Sequence, residues 1–172
     1  VPGTSVAGQA GKRRQSTPRE IHIARNARLV YHTEMGNNYD VLHLFSAGLD
    51  SLVTAQVLQE QGLKVKCLHF HSPFYGKPWM IPHWREEYGL DIDPVDNGDE
   101  FVDMVVKGPG YGFGKHLNPC VDCKIIMLRR AKELLPHYGA TFLSTGEVLG
   151  QRPMSQRRDT MNIIRRDAEV KD

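Results

Sequence analysis

From Tyr39 onward the chain alternates short apolar runs with amphipathic stretches. Residues 40–45 (DVLHLF) are a run of buried-strand type, and residues 51–61 follow with Leu52, Ala55, Val57 and Leu58 at helical spacing. Gly62 closes that helix, and residues 64–71 (KVKCLHFH) predict a second strand. Residues 78–88 predict a helix bounded by Gly89, and residues 90–95 (LDIDPV) a third strand that Pro94 weakens at its end. A short helix over 99–106 leads into a glycine-rich loop at 107–117. A long amphipathic helix over 120–137 carries Ile125, Ile126, Leu128, Ala131, Leu134 and Leu135 on its apolar side, and a fourth strand follows at 141–144. This alternation predicts an α/β fold, doubly wound around a mainly parallel sheet with right-handed crossovers. Ligands of such sheets bind beyond the carboxyl ends of the strands, where every motif below falls.

The 172 residues suffice for one compact domain with its own core. Residues 1–20 read as a disordered basic tail and residues 21–172 as one folded domain. The chain begins with Val and stops without a terminating signal, so a fragment truncated at its C-terminus is expected. No apolar run approaches the roughly 20 residues needed to span a bilayer, and no apolar stretch follows the N-terminal charges as in a signal peptide. Three cysteines fit a reducing compartment, and a cytoplasmic protein is expected. Charge is uneven: residues 1–28 hold six Lys/Arg against one acid, residues 29–150 ten against fifteen, and residues 151–172 six against four. Basic ends around an acidic middle fit a polyanionic partner met at the edges of the domain, or simply solvated ends.

Phe45-Ser46-Ala47-Gly48-Leu49-Asp50-Ser51 joins the first strand to the first helix. Small residues there let backbone amides approach an anion, the helix start adds its dipole, and the Ser46 and Ser51 hydroxyls can donate. Asp50 makes sense if it holds Mg²⁺ that bridges phosphate oxygens. The plainer alternative is a strand–helix turn capped by Ser or Asp. No GxxxxGK[ST] occurs, which removes a Walker-type nucleotidase as a motif-based reading.

Asn118-Pro119-Cys120-Val121-Asp122-Cys123-Lys124 opens the long helix, with Asn118 expected as N-cap and Pro119 as its first residue. Cys120 and Cys123 then stack one turn apart, where the dipole and Lys124 favour thiolate. Two packed structural thiols are the alternative. Cys67, His69 and His71 share one face of the second strand; Cys67 with the pair would make three ligands of an iron–sulfur cluster with one position open. The glycines at 108, 110, 112 and 114 miss the dinucleotide spacing and suggest a mobile lid or plain loop, with Tyr111 and Phe113 available to stack on a base.

Together these residues resemble the pyrophosphate-loop (N-type ATP pyrophosphatase) tRNA sulfurtransferases, the tRNA 2-thiouridylases and 4-thiouridine synthetase-type enzymes, over roughly residues 39–167. Within residues 45–51, Ser46 to Ser51 match their SGGxDS loop with Ala47 in place of a glycine of the pair, a replacement that calls for negative φ unless strain is tolerated. Asn118 to Cys123 matches NPxxxC, and Ser144-Thr145-Gly146-Glu147 matches a strand end of ATGH type. The resemblance implies a Rossmann-like adenine nucleotide α-hydrolase fold, with the β,γ-phosphates of ATP held by Phe45, Ser46, Ala47, Gly48, Leu49, Asp50 and Ser51. It further implies adenine read by the Phe70 backbone, Gly146 close to the nucleotide, Mg²⁺ on Asp50 and Cys123 as nucleophile. Asn118 and Pro119 fall at one tRNA-contacting segment of the family, and Met154, Ser155 and Gln156 at another; Arg152, Arg157 and Arg158 would add phosphate contacts.

Cys120 replaces an Asp usual in thiouridylases, Glu147 replaces His, and no cysteine follows Cys123. Two branches stay open: a persulfide mechanism with Cys120 as partner, or an iron–sulfur cluster. The resulting expectation is an ATP-dependent tRNA sulfurtransferase supplied by a persulfide carrier or sulfide. The alternatives are an amide-forming adenylating ligase, and a non-catalytic nucleotide- or RNA-binding domain.

Overall fold

A computed structural model describes residues 38–114, 116–151 and 155–170. Four strands, β1 (Val41–Leu44), β2 (Val65–His71), β3 (Ile92–Asp96) and β4 (Phe142–Thr145), pair in parallel in the order β3-β2-β1-β4. Register runs Val41 to Val65 and Phe142 along β1, and Cys67 to Ile92 along β2 and β3. Between and after the strands lie α1 (Leu49–Glu60), a 3₁₀ turn (Pro78–Met80), α2 (Ile81–Tyr88), α3 (Gly98–Lys107), α4 (Cys120–Tyr138) and α5 (Arg158–Asp167).

Strand side chains alternate between two cores. Val41, Phe45, Val65, Cys67 and Ile92 pack with Ala55 of α1 and Ile81 and Trp84 of α2. Leu42, Leu44, Leu68, Phe70 and Val95 pack with Ile125, Leu128, Ala131 and Leu134 of α4 and Ile164 of α5. Helices on both faces explain why β1 and β2 read as continuous apolar runs. β3 keeps Pro94 inside the strand rather than at its end. The Asp91 carbonyl and the Asn97 amide face β2, so alternation turns the missing N–H of Pro94 to the open edge. α5 carries Arg158, Arg165 and Arg166, and only Ile164, with Ala168 just past its end, buries it against the core.

At the amino ends of the strands, buried Lys66 pairs with Asp91 at 2.7 Å and Asp93 at 2.9 Å. Tyr138 donates to Asp93 at 2.8 Å. This network closes the end of the sheet opposite the motifs. Among the described residues no helix is long and apolar enough to cross a membrane.

Candidate active site

The loop after β1 is braced from within. The Ser51 hydroxyl donates to the Gly48 carbonyl at 2.8 Å and accepts the Ser46 amide at 3.3 Å. Gly48, not a side-chain cap, precedes α1. The first helical bond is Leu52 N to Gly48 O, which leaves the amides of residues 49–51 outside the helical ladder at its positive end. Ala47 departs from expectation: its φ is +61°, a left-handed conformation that costs an alanine about 1 kcal/mol, so the loop keeps the glycine geometry without the glycine. Asp50 sits in the first turn, with the Gln151 amide 3.4 Å from its carboxylate. One half-exposed carboxylate beside free helix-start amides suits a Mg²⁺ that takes its other ligands from phosphates and water.

Phe45 lies beneath the loop. Its ring is buried among Trp84 and His69, its amide bonds Leu68 O and its carbonyl accepts from His69 Nδ1 at 2.9 Å. The other His69 nitrogen accepts the Lys77 amide at 2.9 Å. These residues floor a cavity of about 480 Å³ lined by Ser46, Ala47, His69, Lys77, Trp79 and Trp84. Phe70 lies past the last β1–β2 pair, Leu44 with Leu68. Leu68 O bonds to β1 and Cys67 N to β3, so alternation turns the Phe70 backbone toward the loop, while its ring fills the opposite core.

His43, not singled out from the sequence, lies fully buried in β1 under this loop. Nε2 is 2.9 Å from the Ser51 carbonyl and Nδ1 3.2 Å from the Ser144 hydroxyl. Burial lowers its pKa to about 4 against the opposing pull of the Ser51 bond, so the ring is neutral. Gly146 owes its identity to the same junction: a Cβ there would come within 2.5 Å of the Ser51 backbone. One residue on, Glu147 pairs with Lys124 at 3.0 Å. The Ser144–Glu147 turn therefore touches both the phosphate loop and the helix that carries the cysteines.

That helix begins one residue later than expected. Pro119 is the N-cap and Cys120 the first helical residue, because the Asn118 carbonyl is engaged by the Gly114 amide and the Pro119 carbonyl takes the first helical bond from Cys123. The Asp122 carboxylate accepts the Gly110 and Tyr111 amides at 2.9 and 3.1 Å. Tyr111 itself reaches Asp167 and Arg166 on α5. The glycine loop is thus anchored to α4 and α5.

The cysteines differ from expectation in state and grouping. Burial pushes the Cys123 thiol up to about 11, outweighing Lys124, whose charge is shared with Glu147. Tyr75, whose buried hydroxyl lies beside Cys123, is likewise raised by burial first and by the sulfur second. Cys67 is fully buried with its thiol near 12, and packs on the α1/α2 face, whereas α4 covers the other face. It is a core residue, so the three-cysteine set is not assembled. Among the described residues no group of three His, Cys, Asp or Glu side chains is placed to hold a metal, so these residues by themselves do not supply the ligands of an iron–sulfur cluster.

Two of the residues expected to contact RNA do not lie at the surface. Gln156 is buried, its carbonyl taking the Gly150 amide at 2.8 Å, and Pro119 is buried at the helix start. Asn118, Arg157 and Arg158 are exposed and Ser155 half-buried. Arg152, Met154 and the expected tail lie outside the described residues.

No family model matches the chain. In sequence it is similar to a probable tRNA sulfurtransferase of Methanobrevibacter smithii, 28% identical over 148 aligned residues covering 76% of this chain and 38% of that protein. It is also similar to the tRNA-specific 2-thiouridylase MnmA of Petrotoga mobilis, 33% identical over 135 residues, 66% of this chain and 36% of that one. In fold it is similar to the crystal structure of a predicted subunit of tRNA methyltransferase from Methanocaldococcus jannaschii, with a TM-score of 0.52 at 15% identity, covering 77% of this chain and 66% of that one. The chain spans somewhat over a third of the length of the curated relatives it matches. In sequence the chain is thus similar to proteins described as tRNA sulfurtransferases and tRNA-specific 2-thiouridylases.

Proposed function

We infer that the chain is the ATP-binding part of an enzyme that thiolates a tRNA nucleoside in the cytoplasm. The observation that carries this reading is the Ser144–Glu147 turn, which abuts the phosphate loop through Gly146 and the cysteine helix through Glu147. ATP lies with its phosphates over residues 46–51, its base in the cavity beside Trp79 and Trp84, and the Phe70 backbone at the base edge. A carbonyl oxygen of the nucleoside attacks the α-phosphate, pyrophosphate leaves, and the carbon becomes an adenylate with AMP as leaving group. Mg²⁺ on Asp50, when bound, screens the phosphate charge. A persulfide donor passes its outer sulfur to Cys123 and leaves as a thiol; that sulfur attacks the carbon and AMP departs. Cys120 then attacks Cys123 Sγ, releasing the thiolated nucleoside and leaving a Cys120–Cys123 disulfide that an external thiol reduces. A sulfide donor would instead attack the adenylated carbon directly, without being carried on a cysteine. Arg157, Arg158, Asn118 and Ser155 offer contacts to the tRNA backbone.

Cys123 rests as a thiol, so sulfur delivery requires its burial to be relieved. The same fact favours a second reading, in which the adenylate is attacked by ammonia and no cysteine takes part. Pyrophosphate release with and without total tRNA, followed by nucleoside mass spectrometry, separates them. RNA-dependent release with a thiolated nucleoside supports the first reading. Release without thiolation selects the second, and no release from the full-length protein leaves only a binding domain.

A further inference from the structure

His43 stands where a polar ring is least expected. β1 is otherwise Val41, Leu42 and Leu44, covered on both faces, and the imidazole is 0% exposed. Such a ring is costly in a core unless its nitrogens are bonded, and both are. A carbonyl can only accept, so Nε2 carries the proton and donates to Ser51. Nδ1 is then bare and accepts from the Ser144 hydroxyl. Ser51 is also the residue whose hydroxyl braces the loop through Gly48 and Ser46. One ring therefore joins the central strand, the first turn of α1 and the end of β4, at the point where Gly146 rests on the Ser51 backbone.

We propose that His43 is a positioning residue of the phosphate loop, holding Ser51 through its carbonyl and taking its own orientation from Ser144. The proposal rests on the reading of residues 46–51 as an ATP pyrophosphate loop. A ring that merely filled space would be exchangeable for an apolar side chain of similar volume. A ring that positions Ser51 is replaceable only by another donor. The loop's amides would then drift when the donor is lost, and the phosphates would meet them in poorer register.

The chain carries two tryptophans, Trp79 and Trp84, and both line the cavity beside the loop, so their fluorescence reads Mg-ATP binding to the full chain. His43→Leu is expected to weaken Mg-ATP about tenfold, the effect of one lost hydrogen bond, while His43→Gln, which keeps an N–H for Ser51, recovers most of it. Hydrogen exchange supplies a readout that needs no nucleotide. Amides of residues 46–52 should exchange about tenfold faster in His43→Leu and Ser144→Ala, with residues 65–71 unchanged. If His43→Leu fails to fold, His43→Gln and Ser144→Ala carry both measurements, and Ser144→Ala indistinguishable from wild type in both overturns the proposal. Unchanged affinity and exchange in a folded His43→Leu also overturn it. If wild type binds no Mg-ATP, the pyrophosphate-loop reading falls, and exchange at 46–52 alone decides the role of His43.

Discussion

Lys124 and Glu147 meet at 3.0 Å with only 22% and 13% of their side chains exposed, joining the first turn of α4 to the turn after β4. Removing one partner strands the other in a poorly solvated place, whereas removing both does not. Glu147→Gln and Lys124→Met should each destabilise the protein by about 1–3 kcal/mol in urea unfolding, and the double variant by less than their sum. Strictly additive losses would show that the pair is not coupled.

The same pair explains a chemical expectation for Cys123. With its pKa near 11, about one molecule in ten thousand is thiolate at pH 7, against a few per cent for an ordinary cysteine. In a Cys120→Ser background, iodoacetamide should label Cys123 at least about a hundredfold more slowly than a free thiol. Labelling should accelerate as pH rises toward 11. Rapid labelling at neutral pH would mean that the helix dipole and Lys124 prevail over burial.

Ala47 holds φ at +61° on an exposed loop where its methyl group packs on little. Ala47→Gly removes the left-handed penalty and adds back some unfolded-state entropy, for a net gain of up to about 1 kcal/mol. A loss of stability in equilibrium unfolding would show that the loop prefers another conformation.

Much of this was legible in the sequence, for identifiable reasons. Buried parallel strands announce themselves as apolar runs, and the loop and the NPxxxC segment are local patterns that survive without knowledge of packing. What stayed hidden depends on side-of-sheet or through-space relations. Cys67 and the Cys120–Cys123 pair look like one ligand set until the alternation of β2 puts them on opposite faces. Gln156 and Pro119 look like surface contacts until a loop and a helix start bury them. Lys124 and Glu147 stand 23 positions apart, so neither reveals the other. His43 did leave a signal, a histidine within DVLHLF, but its partners at Ser51 and Ser144 belong to other elements.

Protonation of His43 offers a pH test with a defined sign. Its folded pKa near 4 lies below the ordinary 6.5, so between those values the unfolded chain binds more protons. Its stabilising contribution is complete above pH 6.5 and lost as pH falls toward 4, by at most about 3 kcal/mol. His69 is shifted in the same direction, by burial first, and steepens the same window. His43→Gln should flatten the slope of stability against pH between 6.5 and 4 while leaving a residual slope from His69. An unchanged slope would mean that His43 is accessible to protons in the folded state.

The proposed two-step chemistry makes its sharpest prediction when the two ends of the site are altered separately. Asp50 lies on the phosphate loop and Cys123 on the helix reached through Glu147, so one variant should stop the first step and the other only the second. Asp50→Ala removes a metal-holding carboxylate from a half-exposed position without opening the core, and should abolish RNA-dependent pyrophosphate release while the unfolding midpoint stays near that of wild type. Cys123→Ser preserves size and hydrogen bonding but supplies no thiolate near neutral pH; it should keep pyrophosphate release and lose the thiolated nucleoside. Release and thiolation are measured on the same reactions, from the full-length protein with total tRNA and a persulfide donor. Full release in Asp50→Ala would remove the metal role of that carboxylate. Thiolation surviving in Cys123→Ser would leave the cysteine as a buried residue of the helix start and pass sulfur delivery to another group.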